Sequence, residues 1–176
     1  MRKTILFLAV SVDGYLADRR GGVDWLTGQN PGAETQDTFA RFREGIDTVV
    51  MGWKTYHQVV TELSPGVWPY QGLTTYVVTH RALASTQELR FTSEDPVELA
   101  RRLREGPGRD LWVCGGANLA GQLLAAGMVD RLQLSVIPTL LGDGIRLFPG
   151  GLEETRLRLL ELHSDNGIVE LVYERR

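Results

Sequence analysis

Two segments of this 176-residue chain carry residue types suited to holding a phosphate with backbone alone. Val49-Val-Met-Gly52-Trp-Lys-Thr55 and Trp112-Val-Cys-Gly115-Gly116-Ala-Asn118 each pass from a short apolar run through glycine into helical spacing. Glycine lets a backbone approach a ligand closely, and the helix start that follows offers unpaired N–H groups and the positive end of a dipole. Neither segment matches G-x-G-x-x-G or a P-loop, so spacing alone leaves two readings open, a tight packing turn or a phosphate site. Two carboxylates are candidates for handling a proton. Asp13, in Ser11-Val-Asp13-Gly14, either orients a substrate and relays a proton or caps its own turn. Asp37 either serves catalysis or lies on a solvated helix face. Trp25 either lines a substrate pocket, where a flat ring suits a heteroaromatic molecule, or packs beneath its loop, and Thr27 is a polar neighbour on the same side. His57 reads as a helix-surface residue and Cys114 as a small buried hydrophobe.

The hydrophobic pattern supplies alternating strands and helices to position these residues. Ile5–Val12, Asp47–Met51, Thr74–Thr79, Leu111–Cys114 and Arg131–Ile137 read as strands. Helical spacing predicts Thr35–Glu44, stopped by Gly45, and Gly52–Val60. A third helix runs from the capping box at Asp95-Pro96-Val97-Glu98 to Glu105, and a fourth over Ala117–Ala126 turns Leu119, Leu123 and Leu124 to the core. Asn166-Gly167, between Arg156–His163 and Ile168–Tyr173, predicts a C-terminal hairpin. Glycine-bearing stretches on either side of Trp25, Asp18–Gly22 and Gly28–Gly32, predict a mobile surface loop. The expectation is an α/β fold with a mixed sheet, one domain over residues 1–176.

Composition narrows the function classes. The chain is 43% hydrophobic and 23% charged, ordinary for a globular protein. Nineteen basic against 22 acidic residues give a net charge of -3, which provides no field for nucleic acid or an anionic membrane. Met1-Arg2-Lys3 before an apolar run has ingredients of a signal peptide, but Asp13-Gly14 cuts the run short and it reads as a buried strand. Nothing approaches the roughly 18 apolar residues of a membrane span. A single cysteine excludes an intrachain disulfide and a multi-cysteine metal site. The expectation is a cytoplasmic protein without a bound metal.

Leu8-Ala-Val-Ser-Val-Asp-Gly-Tyr-Leu-Ala17, the two glycine segments and Tyr76-Val-Val-Thr-His-Arg81 resemble, in order and over nearly the whole chain, successive blocks of the dihydrofolate reductase superfamily. Gly127 to Phe148 is similar to the end of the reductase domain of the bifunctional riboflavin-biosynthesis deaminase-reductase, and to stand-alone proteins built on that domain. The resemblance implies a three-layer α/β/α dihydrofolate-reductase-like fold, with a mainly parallel sheet that binds NADPH across the carboxyl ends of its strands. It implies that Ala9 and Leu16 bracket the nicotinamide, and that Gly52, Trp53, Lys54 and Thr55 hold the pyrophosphate and the adenosine side. Thr79, His80 and Arg81 would lie by the adenosine 2′-phosphate, with Gly115, Gly116, Ala117, Asn118 and Leu119 closing over the pyrophosphate. A dianionic phosphate favours cations, and Lys54 and Arg81 are the basic residues at two of these strand ends. A homodimer is expected, from resemblance to reductase domains that pair and from the apolar strand Leu132–Ile137.

Where folate-reducing members place a carboxylate early in the helix before the second strand, a gapless count back from Gly52 reaches Gln36, with Asp37 adjacent. Where riboflavin-pathway members carry an acidic, proline-containing segment, this chain has Tyr56-His-Gln-Val-Val-Thr61. The partner deaminase is missing, since H-x-E and P-C-x-x-C need more than one cysteine. Around Trp25–Asn30 and Gln58–Glu62 there is no arginine or lysine to cradle a phosphorylated sugar. The leading expectation is an NADPH-dependent reductase acting on a small pteridine-like, pyrimidine-like, carbonyl or imine substrate. The alternatives are 5-amino-6-(5-phosphoribosylamino)uracil reductase of riboflavin biosynthesis and a non-catalytic nucleotide-binding domain.

Overall fold

Strand β1 (Thr4–Ser11) is apolar on both faces because it lies inside the sheet. Its neighbours, β6 (Asp110–Gly115) and β7 (Arg131–Ile137), both run parallel to it. Beyond β6 come β3 (Ile46–Gly52), β4 (Thr74–Val78) and β5 (Leu89–Thr92), again parallel. Beyond β7 the direction reverses, with β10 (Ile168–Arg175) antiparallel to β7 and β9 (Leu157–Asp165) antiparallel to β10. The result is one eight-stranded, mostly parallel sheet in the order β5-β4-β3-β6-β1-β7-β10-β9. A separate antiparallel pair joins β2 (Tyr15–Ala17) to β8 (Ile145–Arg146). This computed structural model describes residues 1–30, 32–33, 37–148 and 150–176. The expected helix start at Thr35 and the position of Gln36 lie outside the described residues.

Alternate side chains of a strand point to opposite faces, so β1 feeds two cores. Leu6 and Val10 meet Leu99 and Leu103 of α3 (Pro96–Glu105) and Leu119 and Leu123 of α4 (Ala117–Ala125). On the other face Phe7 meets Phe39 and Phe42 of α1 (Thr38–Glu44) and Trp112 of β6, with α2 (Trp53–Gln58) further along. Phe42 stands edge-on to Phe7 at 4.7 Å and to Trp112 at 5.8 Å between ring centroids, a favoured aromatic geometry. Helices on both faces make three layers.

Local chemistry sets the element ends. Asp95 caps α3 by accepting from the amides of Val97 and Glu98, with Pro96 in the first turn. Asp37 caps α1 by accepting from the Ala40 amide at 2.9 Å. The second helix ends at Gln58 and passes into one π-helical turn, Val59–Leu63, beyond the expected end at Val60. The hairpin between β9 and β10 turns on Asn166 and Gly167 with φ of 49° and 78°. Those values are what a two-residue hairpin turn with a primed geometry requires. At the amino ends of the strands the guanidinium of Arg2, 9% exposed, donates to the carbonyls of Leu103, Pro107 and Arg109 and pairs with Asp47. This joins β1, β3 and the loop after α3.

One expectation is corrected. Leu132–Ile137 lies between β1 and β10, so its apolar character reflects burial inside the sheet rather than a dimer seam. The described part of the loop around Trp25 is pinned at both ends. Gln58 Nε2 donates to the Gly21 carbonyl at 2.8 Å, and Gln29 and Asn30 bond to Asn166 of the hairpin. Gly28 lies so close to Asn166 that an added Cβ would collide with it. Close packing, not freedom, calls for glycine there.

Leu6 is fully buried at the centre of the larger core. Leu6→Ala is expected to cost about 2–5 kcal/mol, read as a lower urea midpoint with an unchanged slope.

Candidate functional site

Parallel neighbours end at the same edge, so the pairing of β3 with β6 sets the two glycine turns side by side. A Cβ on Gly52 would lie 3.8 Å from the Gly116 nitrogen, and one on Gly116 would lie 3.3 Å from Thr55 Oγ1. Gly115 has φ +111°, a conformation that side chains oppose, and joins Gly116 through a cis peptide. Gly52 and Gly116 are the N-caps of α2 and α4, and neither helix has a side-chain cap bond. The first-turn amides are left for another acceptor.

The third expected cluster comes to the same place. The Arg81 guanidinium lies 4.6 Å from the centroid of the Trp53 ring, a cation–π contact, and the Arg81 amide donates to Thr79 Oγ1 at 3.2 Å. Thr79 is buried, whereas Lys54, His80, Arg81 and Asn118 are exposed. His57 is also exposed, with its ring 5.6 Å from that of Trp53. Glycine-lined backbone, uncapped helix starts and exposed cations fit a dinucleotide phosphate group.

Ala9 lies on β1 and is half-exposed between buried Phe7 and Val10. Leu16, on β2, packs against the larger core. Asp13 bridges two loops. Its carboxylate accepts from Ser11 Oγ at 2.6 Å and from the amides of Leu141 at 3.1 Å and Gly142 at 2.7 Å. The Ser11 hydroxyl first, then those two amides, pull its pKa down to about 2 against the opposing effect of desolvation. Asp37 is engaged as the α1 cap, at an exposed position. Trp25 is half-buried, donating from Nε1 to the Gly22 carbonyl at 3.2 Å, and Thr27 is exposed. Cys114 lies with its thiol 3.8 Å from the Tyr70 hydroxyl, and burial pushes its pKa up to about 12, so it stays a neutral packing group.

One polar group was not anticipated from the sequence. Glu170, on β10, accepts through Oε1 from Thr38 Oγ1 at 2.5 Å and Ser135 Oγ at 3.1 Å. Its signal was a carboxylate two residues from buried Val172, within the apolar run Ile168–Tyr173. Among the described residues no group of three or more histidine, cysteine or acidic side chains is arranged to hold a metal. Nor is any described helix long and apolar enough to cross a membrane.

A three-layer sheet of this order is the fold of riboflavin-pathway reductase domains. It matches a protein of Shewanella sp. PV-4 ascribed to riboflavin biosynthesis with a TM-score of 0.85, at 24% identity over 99% of both chains. It matches the Thermotoga maritima diaminohydroxyphosphoribosylaminopyrimidine deaminase/5-amino-6-(5-phosphoribosylamino)uracil reductase with a TM-score of 0.73, at 17% identity over 99% of this chain and 57% of that one. The chain belongs to the RibD C-terminal domain family, whose pattern matches residues 2–169. It is 36% identical over 175 residues to the uncharacterized protein YwjB of Bacillus subtilis strain 168, covering 99% of this chain and 98% of that protein.

The bonds to Asp13 are stronger while it is ionised, so they add stability that is fully present above its ordinary value of 3.8 and is lost as pH falls through about 2. Asp13→Ala is expected to melt below the wild type by a constant margin above that ordinary value. The margin should narrow as the pH falls further, as followed by circular dichroism.

Proposed function

We propose that this protein is an NADPH-dependent reductase of small heterocyclic, carbonyl or imine compounds. The observation that carries the reading is the convergence of two glycine turns with uncapped helix starts and the Arg81–Trp53 pair at one sheet edge. When bound, NADPH supplies the hydride. The amides that open α4, from Gly115 to Leu119, and those of Gly52 to Thr55 bind the pyrophosphate, with close approach allowed by glycine. Lys54 and Arg81 bind the 2′-phosphate, and the Trp53 ring holds the Arg81 fork in place. Ala9 and Leu16 position the nicotinamide ring through backbone contacts. Trp25 and Thr27 belong to the loop that walls the substrate side. Asp13, ionised at neutral pH, fixes the turn after β1 to the loop at 141–142 and acts as a positioning group rather than the acid.

Family membership favours a second reading, 5-amino-6-(5-phosphoribosylamino)uracil reductase. The absence of a basic residue at Trp25–Asn30 and Gln58–Glu62 favours an unphosphorylated substrate instead. Loss of NADPH absorbance with small heterocycles and carbonyls, dihydrofolate and the ribosylaminopyrimidine phosphate separates the two. Fast turnover of the phosphorylated compound alone would promote the second reading. Cofactor binding without turnover of any compound would leave a nucleotide-binding domain.

Cofactor choice follows from the cations. NADPH is expected to bind at least tenfold more tightly than NADH, about 1.4 kcal/mol, and Arg81→Ala to narrow the gap. Titration calorimetry with equal affinities would refute the assignment.

We also propose that the protein pairs as a homodimer, through β9. This edge strand exposes Leu157, Leu159, Leu160 and Leu162, the last at 63%. Unpartnered apolar edges invite a second chain, and two-fold pairing is the commonest solution. Light scattering is expected to give twice the 19.6 kDa of one chain, and Leu162→Glu to shift it towards the single mass.

A further inference from the structure

The Asn166-Gly167 turn does more than reverse the chain, because three hydrogen bonds tie it to the loop that carries Trp25. The Asn166 carbonyl accepts from the Gln29 amide at 2.9 Å. The Asn166 side chain holds both backbone groups of Asn30, with Oδ1 accepting from the amide at 2.9 Å and Nδ2 donating to the carbonyl at 3.2 Å. Packing at this dock is close, since a Cβ on Gly28 would collide with Asn166 and one on Gly167 with the Gln29 side chain. Donor and acceptor are both in use, so the dock needs an amide and an ionised carboxylate cannot replace it.

The same amide is the one in the chain most open to loss. An asparagine loses its amide when the next backbone nitrogen attacks Cγ, which requires an N–H there and little crowding from the residue that carries it. The chain has three asparagines. Asn30 precedes Pro31, whose nitrogen carries no hydrogen. Asn118 lies in the hydrogen-bonded first turn of α4, ahead of the bulky Leu119. Asn166 alone precedes glycine, in a surface turn where nothing on the next residue obstructs the attack.

We propose that Asn166 is a deamidation site whose conversion releases the Trp25 loop from the hairpin. The Gly167 nitrogen gives up its proton and bonds to Asn166 Cγ, the Cγ–Nδ2 bond breaks, and ammonia leaves with that proton. One water molecule then opens the imide, giving aspartate by cleavage at Cγ or isoaspartate by cleavage at the backbone carbonyl. Nothing is oxidised or reduced. Dock and reaction exclude each other. While both amide atoms hold Asn30, Cγ is not free to turn onto the Gly167 nitrogen, so attack waits for the dock to open locally. Once the reaction is complete, an oxygen stands where Nδ2 donated, and it meets the Asn30 carbonyl acceptor against acceptor. Isoaspartate also adds a carbon to the backbone of a turn whose geometry allows only two residues. Every contact involved lies at the hairpin, so the proposal stands apart from the reductase reading.

The test follows conversion in mildly alkaline buffer by peptide mass spectrometry. Folded wild type is compared with the same chain unfolded in guanidinium chloride and with Gly28→Ala, whose added methyl group crowds Asn166 out of the dock and keeps the Asn-Gly sequence. Conversion is expected at Asn166 ahead of Asn118, at least tenfold slower in the folded wild type than in the unfolded chain, and at least threefold faster in Gly28→Ala than in the wild type. Asn166→Asp supplies the product outright. It is expected to fold, with amide exchange at Gln29 and Asn30 at least tenfold faster than in the wild type and exchange at buried Leu6 and Val113 unchanged. Equal rates in folded and unfolded wild type, no gain in Gly28→Ala, no conversion at Asn166 in any of the three samples, or unchanged exchange at Gln29 and Asn30 in Asn166→Asp would overturn the proposal. Exchange at Leu6 and Val113 also shows whether Gly28→Ala is folded, and if it is not, the other two comparisons decide.

Discussion

Parallel pairing of β3 with β6 is the constraint from which the rest of the site follows. Met51 stands opposite Gly115, so both strands run out into glycine at one level of the sheet. Their helices therefore start within a few ångströms of each other, with Thr55 held over the second turn. The arrangement leaves two helix starts without the side-chain caps that α1 and α3 both have, each worth about 1 kcal/mol where present. Breaking a local rule twice at one edge, while keeping it elsewhere, sets this edge apart from the rest of the fold.

The antiparallel half of the sheet obeys a different constraint. Between β7 and β10 the sheet changes direction, and the residues that face one another there are polar, with Ser135 opposite Glu170. The parallel side presents backbone at its glycine turns, which is nearly independent of residue type. The antiparallel side presents side chains, which are free to vary. A scaffold that offers backbone on one side and side chains on the other can serve many ligands.

How far this was legible in the sequence follows the same division. The strand–glycine–helix turns, the α3 capping box and the Asn166-Gly167 hairpin were readable because each is local and has its own backbone chemistry. Strands β2 and β8 escaped notice because three and two residues carry no periodicity, and they exist only through each other. The role of Asp37 as a cap was within reach, since Ala40 follows at the right spacing, but its neighbours suggested chemistry instead. Asp13 had a plausible local partner in Ser11, yet its bonds to Leu141 and Gly142 span more than a hundred residues and leave no trace in composition. Glu170 was the hardest, because which face of a strand looks inward depends on what covers it. The apolar stretch in β7 misled for a related reason, as a strand buried on both faces and an exposed sticky one are spelled alike.

The position of β1 has a consequence for how the chain reaches this state. Its first partners are far away in sequence, Thr4 beside Leu111 and Ile5 beside Arg131. During synthesis, at about 5–20 residues per second, β1 waits for several seconds or more as an apolar segment without a sheet to enter. The remaining strands arrive on its two sides in turn, β6 before β7, and the last of them, β10, enters between β7 and the edge strand β9. Long-range pairing of this kind is slow to form, and it leaves apolar segments exposed in the nascent chain until their partners have been made.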